Sequence, residues 1–245
     1  MLAFALIVCL SVATITTSFV SGILGMAGGM ILMGVLLVTL PVAQAMVLHG
    51  ITQLASNAWR AAVWRPFVNW RCVAGFAAGA ALAFVALGSI QVLLGRAMVL
   101  IALGATPFLV YLLPRRLELN VDRRGHSFAC GVASTSIQIL SGVSGPLLDS
   151  FFVNSAMDRK SVVATKAGAQ TLGHAAKTAY FGSLIGSAHI DVTLTLAMIA
   201  CAIVGTTLSR KLLERMSDTD FRVWTRRAVL CIGGVYLVSG IWAWL

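Results

Sequence analysis

The chain has 245 residues, of which 59% are hydrophobic and only 11% are charged, and its mean hydropathy is +0.92. Because soluble domains average about 25% charged residues, this composition excludes an ordinary soluble domain and indicates a membrane protein. The formal net charge of +10 comes from basic residues in short segments between apolar stretches, a distribution typical of membrane loops and not of a nucleic-acid-binding surface.

Long stretches of the chain carry no Asp, Glu, Lys or Arg. The charge-free runs cover residues 1–59, 72–95, 97–114, 178–190, 192–209 and 228–245. A helix needs about 20 apolar residues to cross a bilayer, so several of these runs are long enough. The first run lacks the basic segment of a signal peptide, and we interpret it as a retained membrane element. The predicted fold class is therefore an all-α polytopic membrane protein.

The first half of the chain contains a glycine-rich break between two apolar elements. Residues 22–29 read GILGMAGG, and four glycines in eight residues disfavour a continuous helix there. Pro41 separates the second element from a long helix, which a basic, aromatic turn follows. The spans of this half are predicted at about 1–21, 30–40, 42–64, 72–90 and 95–113.

The second half repeats this order of elements. Its break, SGVSGP at residues 141–146, again precedes a short apolar piece and a long helix. Its spans are predicted at about 126–140, 147–156, 160–185, 190–208 and 226–244. We therefore divide the chain into a first transmembrane repeat at 1–113, a cytoplasmic linker at 114–125 and a second transmembrane repeat at 126–245.

Each long helix carries four polar residues at positions i, i+4, i+8 and i+11, which places them on one face. The two stripes are His49, Gln53, Asn57 and Arg60 in the first half and Lys166, Gln170, His174 and Lys177 in the second. In a soluble protein such a face would be the wet side of an amphipathic helix. In a membrane protein, ionisable residues usually line a cavity or a transport path. The matching spacing also supports a duplication of the two halves.

Basic residues occur in opposite loops of the two halves. The loop after the first long helix carries Arg65 and Arg71, whereas its counterpart at 183–190 has no Lys or Arg. Conversely, the uncharged loop at 88–95 corresponds to the strongly basic segment at 209–227. Under the positive-inside rule, this pattern predicts two inverted repeats, each with a broken or re-entrant helix pair followed by three transmembrane helices. The two breaks should face each other across a site.

The breaks and the stripes supply groups that bind small anions. Free backbone N–H groups at a helix restart favour anions, amide side chains donate hydrogen bonds to oxyanions, and the lysines add positive charge. The predicted substrate-binding residues are Gly28, Gly29, His49, Gln53, Asn57, Ser141, Ser144, Gly145, Lys166, Gln170, His174 and Lys177. Asp149 and His174 are the candidates for carrying a coupling proton.

Several of these residues have a purely structural alternative. Lys177 could extend its ammonium to the outer interface, and Lys166 could form a structural ion pair with Asp149. His49 could be a hydrogen-bonded packing residue. The Gly28–Gly29 pair could serve close helix packing alone.

The cysteines and the other potential metal ligands do not form a recognisable site. The five cysteines are scattered through apolar spans, with no CxxC pair and no His/Cys spacing that suits zinc. We therefore expect no metal and no cofactor. The sequence contains no motif for a protein partner, and a homo-oligomer is compatible with it.

The segment SGILGMAGGMILMGVLL, with its shorter counterpart SGVSGPLLDSFFV, resembles the TauE/SafE family of sulfite exporter-like permeases. The chain length, the duplicated halves and the charged central linker fit the same family. Ala27 departs from its glycine-richer run, and Pro146 stands where the second half would carry glycine. The resemblance implies a secondary transporter in the cytoplasmic (inner) membrane. Its expected cargo is sulfite, a sulfonate or a related sulfur-containing or organic anion.

Two further function classes compete with a transporter. Gly142-Val143-Ser144-Gly145 matches the GxSG run of rhomboid-type intramembrane proteases, in which Ser144 would be the nucleophile and His174 its base. An anion channel is the other alternative, because sequence separates channels poorly from carriers. The duplicated polar stripe has no role in a protease, so the sequence favours transport over catalysis.

Overall fold

The computed structural model describes residues 2–112, 114, 119–185, 190–215 and 218–245. Ten α-helices cover most of these residues, and none of the described residues lies in a β-strand. In chain order the helices are α1 Leu2–Leu24, α2 Ala27–Thr39, α3 Val42–Val63, α4 Trp70–Ile90, α5 Arg96–Leu112, α6 His126–Ser141, α7 Gly145–Phe152, α8 Arg159–Ile185, α9 Val192–Arg215 and α10 Asp218–Trp244. The predicted all-α class is confirmed.

Within the described part of the chain, four helices are long and apolar enough to cross a membrane. They contain the segments Phe4–Leu24, Trp70–Ile90, Val192–Leu212 and Val223–Trp244, which belong to α1, α4, α9 and α10. Helices α2 and α5 are apolar but shorter. The two striped helices, α3 and α8, pack along each other, and each also contacts one of the apolar helices, α9 or α4. The protein is a polytopic membrane protein with its polar helices inside.

The first break is shorter than the glycine pattern predicts. Only Gly25 and Met26 separate α1 from α2, and Gly25 ends α1 with a φ of 68°, a conformation that favours glycine. Gly28 lies inside α2, and its backbone packs directly against α1. A Cβ on Gly28 would stand 1.8 Å from the Thr17 carbonyl oxygen, so this glycine permits the close approach of the two helices.

The second break matches its prediction more closely. Residues 142–144 separate α6 from α7, and Gly142 has a φ of 87° at the end of α6. The last two helices are longer than predicted, because α9 continues to Arg215 and α10 begins at Asp218. The added turns of α9 include RKLLER, a run of good helix formers that hydropathy alone assigns to a loop.

The helix contacts of the two halves correspond to each other. Matching α1–α5 with α6–α10, α1 packs on α9 while its counterpart α6 packs on α4. Likewise α2 contacts α10 and α7 contacts α5, and the pairs α3–α8 and α5–α10 map onto themselves. This pattern of exchanged partners is the one expected of two halves related by a two-fold axis. The direction in which each half is inserted stays a prediction, and residues 115–118 of the linker lie outside the described residues.

Candidate functional site

The polar stripes of α3 and α8 face each other, and the start of each stripe lies beside the end of the other. His49, in the first half of α3, contacts Lys177, in the second half of α8. Arg60, at the end of α3, lines the same small pocket as Lys166, in the first half of α8. The two stripes therefore form one polar seam with two ends, which we call the His49 end and the Arg60 end.

At the His49 end, a chain of hydrogen bonds connects the two broken helix pairs. His49 Nε2 lies 2.8 Å from the carbonyl oxygen of Gly29 in α2. Lys177 Nζ lies 2.6 Å from His49 Nδ1 and 3.0 Å from the carbonyl oxygen of Gly142. Because a carbonyl only accepts, Nε2 carries the imidazole proton and Nδ1 accepts a hydrogen bond from Lys177. We call this arrangement the histidine–lysine bridge.

Both residues of the histidine–lysine bridge are buried, with 0% of their surface exposed. The alternative that Lys177 extends its ammonium to the outer interface is therefore wrong. The Lys177 amine instead forms hydrogen bonds with His49 and with the Gly142 carbonyl oxygen inside the protein. His49 has partners for both ring nitrogens, as the packing alternative for this residue requires. The His174 ring lies beside it, with 5.6 Å between ring centroids, and His174 Nδ1 has no hydrogen-bond partner.

At the Arg60 end, Lys166 forms an ion pair with Asp149 of α7. This ion pair corresponds to the contact between His49 and Gly29 in the first half. In both halves, the first residue of the stripe contacts the helix that follows the break, α2 or α7. The Arg60 Nη2 atom is shielded from solvent and has no hydrogen-bond partner. A pocket of about 20 Å³, lined by Ser21, Arg60, Lys166 and Gln170 among others, lies between these groups.

The amide side chains between the two ends are buried and incompletely hydrogen-bonded. Gln53 lies beside Gly29, where a Cβ added to the glycine would be 3.5 Å from the Gln53 amide, and Gln53 Nε2 has no partner. Asn57 Nδ2 donates a hydrogen bond to the backbone carbonyl oxygen of Gln53 at 2.8 Å, while Asn57 Oδ1 accepts no hydrogen bond. Buried polar atoms without partners are uncommon in folded proteins, which makes these atoms candidates for contacts with a ligand.

The hydrogen-bonding groups at the breaks are partly satisfied by the protein itself. The Gly29 N–H donates to Ser21 Oγ at 3.1 Å, so it is not free to bind an anion as the sequence pattern predicts. Gly145 contacts Met26 of the other break, with 2.4 Å between its hypothetical Cβ and Met26 Cβ. The two breaks are therefore in direct contact at this point, and side chains fill the space in which the sequence pattern predicts a site.

One further polar residue of the site escapes the sequence pattern. Gln138 of α6 accepts a hydrogen bond from Ser144 Oγ at 2.6 Å, lies against Gly173 of α8 and leaves its Nε2 without a partner. Its helix has no four-residue stripe. The available signal was its spacing to Thr135 and Ser141 at i−3 and i+3, which forms a buried polar face. Ser141 Oγ donates to the Val143 carbonyl at 3.0 Å and so orders the break.

The geometry does not assemble a serine hydrolase dyad from Ser144 and His174. The Ser144 hydroxyl donates to Gln138 Oε1, and the unpartnered nitrogen of His174 receives no hydrogen bond from it. In addition, no three His, Cys, Asp or Glu side chains within the described ranges are placed to hold a metal ion.

A larger cavity of about 540 Å³ adjoins the Arg60 end. It lies between α5, α7, α10 and the start of α8, and it shares Met26, Val163 and Lys166 with the smaller pocket. Asp158, which precedes α8, and Arg159, which begins it, also line the cavity. The Arg60 end is therefore the end of the seam that adjoins a large cavity in this structure.

The fold and the site together define a polytopic helical membrane protein that encloses a polar, cationic seam between two broken helix pairs. The chain matches the family model described as "Sulfite exporter TauE/SafE" over residues 10–237, and it belongs to that family. The family consists of membrane permeases and not of enzymes. Comparison with curated proteins found no match, and comparison with solved structures found none either.

Proposed function

We propose that the protein is a secondary permease that moves a small anion, such as sulfite, a sulfonate or a related organic anion, across the cytoplasmic membrane. The observation that supports this proposal is the polar seam between α3 and α8. Three basic side chains, Arg60, Lys166 and Lys177, belong to its stripes, and Asp149 is a carboxylate that contacts one of them, Lys166. This excess of positive charge in a buried site favours an anion over a cation.

The proposed mechanism is alternating access. The histidine–lysine bridge closes one end of the seam, whereas the Arg60 end adjoins the 540 Å³ cavity. In transporters built from inverted repeats, rocking of one repeat against the other exchanges the open and the closed end. Breaking the bond between Lys177 and Gly142 while closing the cavity would expose the same seam to the opposite side.

The twelve residues predicted to bind the substrate divide between two roles in this proposal. Gln53, Asn57, Lys166 and Gln170 offer hydrogen bonds or charge to the anion, and His174 lies within reach of the same seam. Gly28, Gly29, Ser141, Ser144, Gly145, His49 and Lys177 order the broken helices around it. Proton coupling is a further part of the proposal, with Asp149 and His174 as the carriers, and dependence of transport on an imposed pH gradient tests it.

A thermal-shift titration of the purified protein tests the binding proposal. A ligand that binds only the folded state raises the melting temperature by mass action, so sulfite or a sulfonate should raise it and choline chloride should not. Gln53→Ala and Gln170→Ala each remove a donor to a charged ligand, worth about 1.5–3 kcal/mol, and should weaken binding at least tenfold. Gln44→Ala, on α3 but outside the stripe, is the matched control.

If no anion shifts the melting temperature up to millimolar concentration, the anion proposal is wrong. If anions do bind but both glutamine variants bind them as the parent does, the seam is not the binding site.

A further inference from the structure

The Arg60 end of the seam contains one more positive charge than its carboxylate balances. Lys166 is paired with Asp149, and its side chain is 13% exposed. Arg60 lines the same small pocket, and its Nη2 atom is buried without a partner. A guanidinium has five N–H donors in a planar fork that matches the oxygens of a carboxylate or sulfonate. The unsatisfied arm of Arg60 therefore indicates a ligand with paired oxygens.

The small pocket and the large cavity differ in the chemistry of their walls. The pocket of about 20 Å³ has room for a group of roughly one or two water molecules and contains Arg60, Lys166 and Gln170. The adjoining cavity of about 540 Å³ is walled on several sides by apolar side chains, including Val110, Phe152, Met157, Val162 and Val229. A ligand that fills both spaces has a small charged head and an apolar body.

The charged residues that line the cavity and the pocket carry a net positive charge. Arg159 and Arg226 line the cavity together with Asp158, and the Arg226 guanidinium lies 4.8 Å from the centre of the Tyr111 ring. Counting Arg60, Lys166 and Asp149 as well, the charged residues that line the two spaces comprise four cations and two carboxylates. A cleft with a net positive lining raises the local concentration of anions.

We propose that Arg60, with Lys166 and Gln170, forms a head-group site for a monovalent organic oxyanion whose uncharged apolar body occupies the 540 Å³ cavity. This inference rests on the proposed function and names the class of anion for its site. The charge balance selects a monoanion, because Arg60 and Lys166 carry two positive charges and Asp149 removes one. The apolar side chains in the cavity wall favour an apolar body, because burying apolar surface against them is favourable.

The test compares alkanesulfonates of increasing chain length by isothermal titration calorimetry of the full-length protein in a neutral detergent. From methanesulfonate to butanesulfonate, each methylene buried in the cavity should tighten binding about three- to fourfold. Ethane-1,2-disulfonate should bind more weakly than ethanesulfonate. Affinity that is independent of chain length, or that favours the disulfonate, would overturn the proposal. This comparison uses the unsubstituted protein, so it does not depend on whether any variant folds.

Two substitutions test the head-group site itself. Arg60→Gln should weaken butanesulfonate binding about tenfold to a hundredfold, and Arg65→Gln, an exposed arginine outside both spaces, should leave it unchanged. Asp149→Asn removes the compensating carboxylate and should shift the preference toward the disulfonate. Binding by Arg60→Gln equal to that of Arg65→Gln would show that the arginine fork does not hold the head group.

The experiment also separates a free anion from an anionic lipid, which shares the same chemistry. In phosphatidylcholine vesicles butanesulfonate should bind as it does in detergent, and added phosphatidylglycerol should not compete. Competition by phosphatidylglycerol would overturn the proposal in favour of a lipid site. The outcomes distinguish this inference from the proposed function. If sulfite binds without depending on Arg60, and alkanesulfonates bind without depending on their chain length, only the inference is contradicted. Absence of any anion binding contradicts both.

Discussion

Lys177 shows how one side chain can hold two interrupted helices together. It is fully buried, and it donates hydrogen bonds to His49 and to the Gly142 carbonyl. The stripe spacing predicts that Lys177 lies on the polar face. It does not predict the inward direction, because the reach of the ammonium depends on where the second break places its carbonyl group. Gln138 escaped prediction for a similar reason, since only the contact with Ser144 brings it into the site.

Replacing Lys177 with methionine tests the histidine–lysine bridge. Lys177→Met keeps most of the side-chain volume but leaves the Gly142 carbonyl and His49 Nδ1 buried without a donor. Each such group costs about 1–3 kcal/mol, offset in part because the buried ammonium is no longer desolvated. We expect a lower melting temperature in detergent than for Lys211→Met, whose side chain is exposed on α9. Equal melting temperatures for the two variants would show that the bridge does not stabilise the fold.

At the scale of elements, hydropathy and spacing predict which helices exist, and less well where they end. Helices α3 and α8 follow the predicted ranges within about two residues because their stripes and flanking prolines or polar turns are local signals. The sequence predicts a first break that is too long, because a glycine can mark either a turn or a close contact between helices. Gly25 forms the turn, whereas Gly28 lets α2 approach Thr17 of α1, and only the packed structure distinguishes these roles.

The insertion of the two halves in opposite directions is testable at the ends of α3 and α8. In a variant without its own five cysteines, Pro66→Cys should label only from the cytoplasmic side and Ser183→Cys only from the outside. Both positions are exposed, and they lie just beyond α3 and near the end of α8. Labelling of both cysteines from one side would contradict inverted insertion, because α3 and α8 would then cross in the same direction.

At the scale of the whole molecule, the apolar helices shield a cationic seam that would be costly in contact with lipid. Helices α1, α4, α9 and α10 supply the long apolar segments, and the exchanged contacts α1–α9 and α4–α6 bind each half to the other. Composition and loop charge predict this general architecture. They do not reveal that one end of the seam is closed and the other adjoins a cavity, because that difference depends on how the side chains of the two halves pack.

The central claim is that the protein carries an anion by alternating access, and counterflow in proteoliposomes tests it most directly. Vesicles loaded with unlabelled sulfite and diluted into a trace of labelled sulfite should accumulate the label transiently. The rate should saturate with sulfite concentration, because a carrier binds its substrate before each turnover. Gln170→Ala should reduce the initial rate, and Gln44→Ala should not. Uptake that never exceeds equilibrium and rises linearly with concentration would contradict a carrier and indicate a channel.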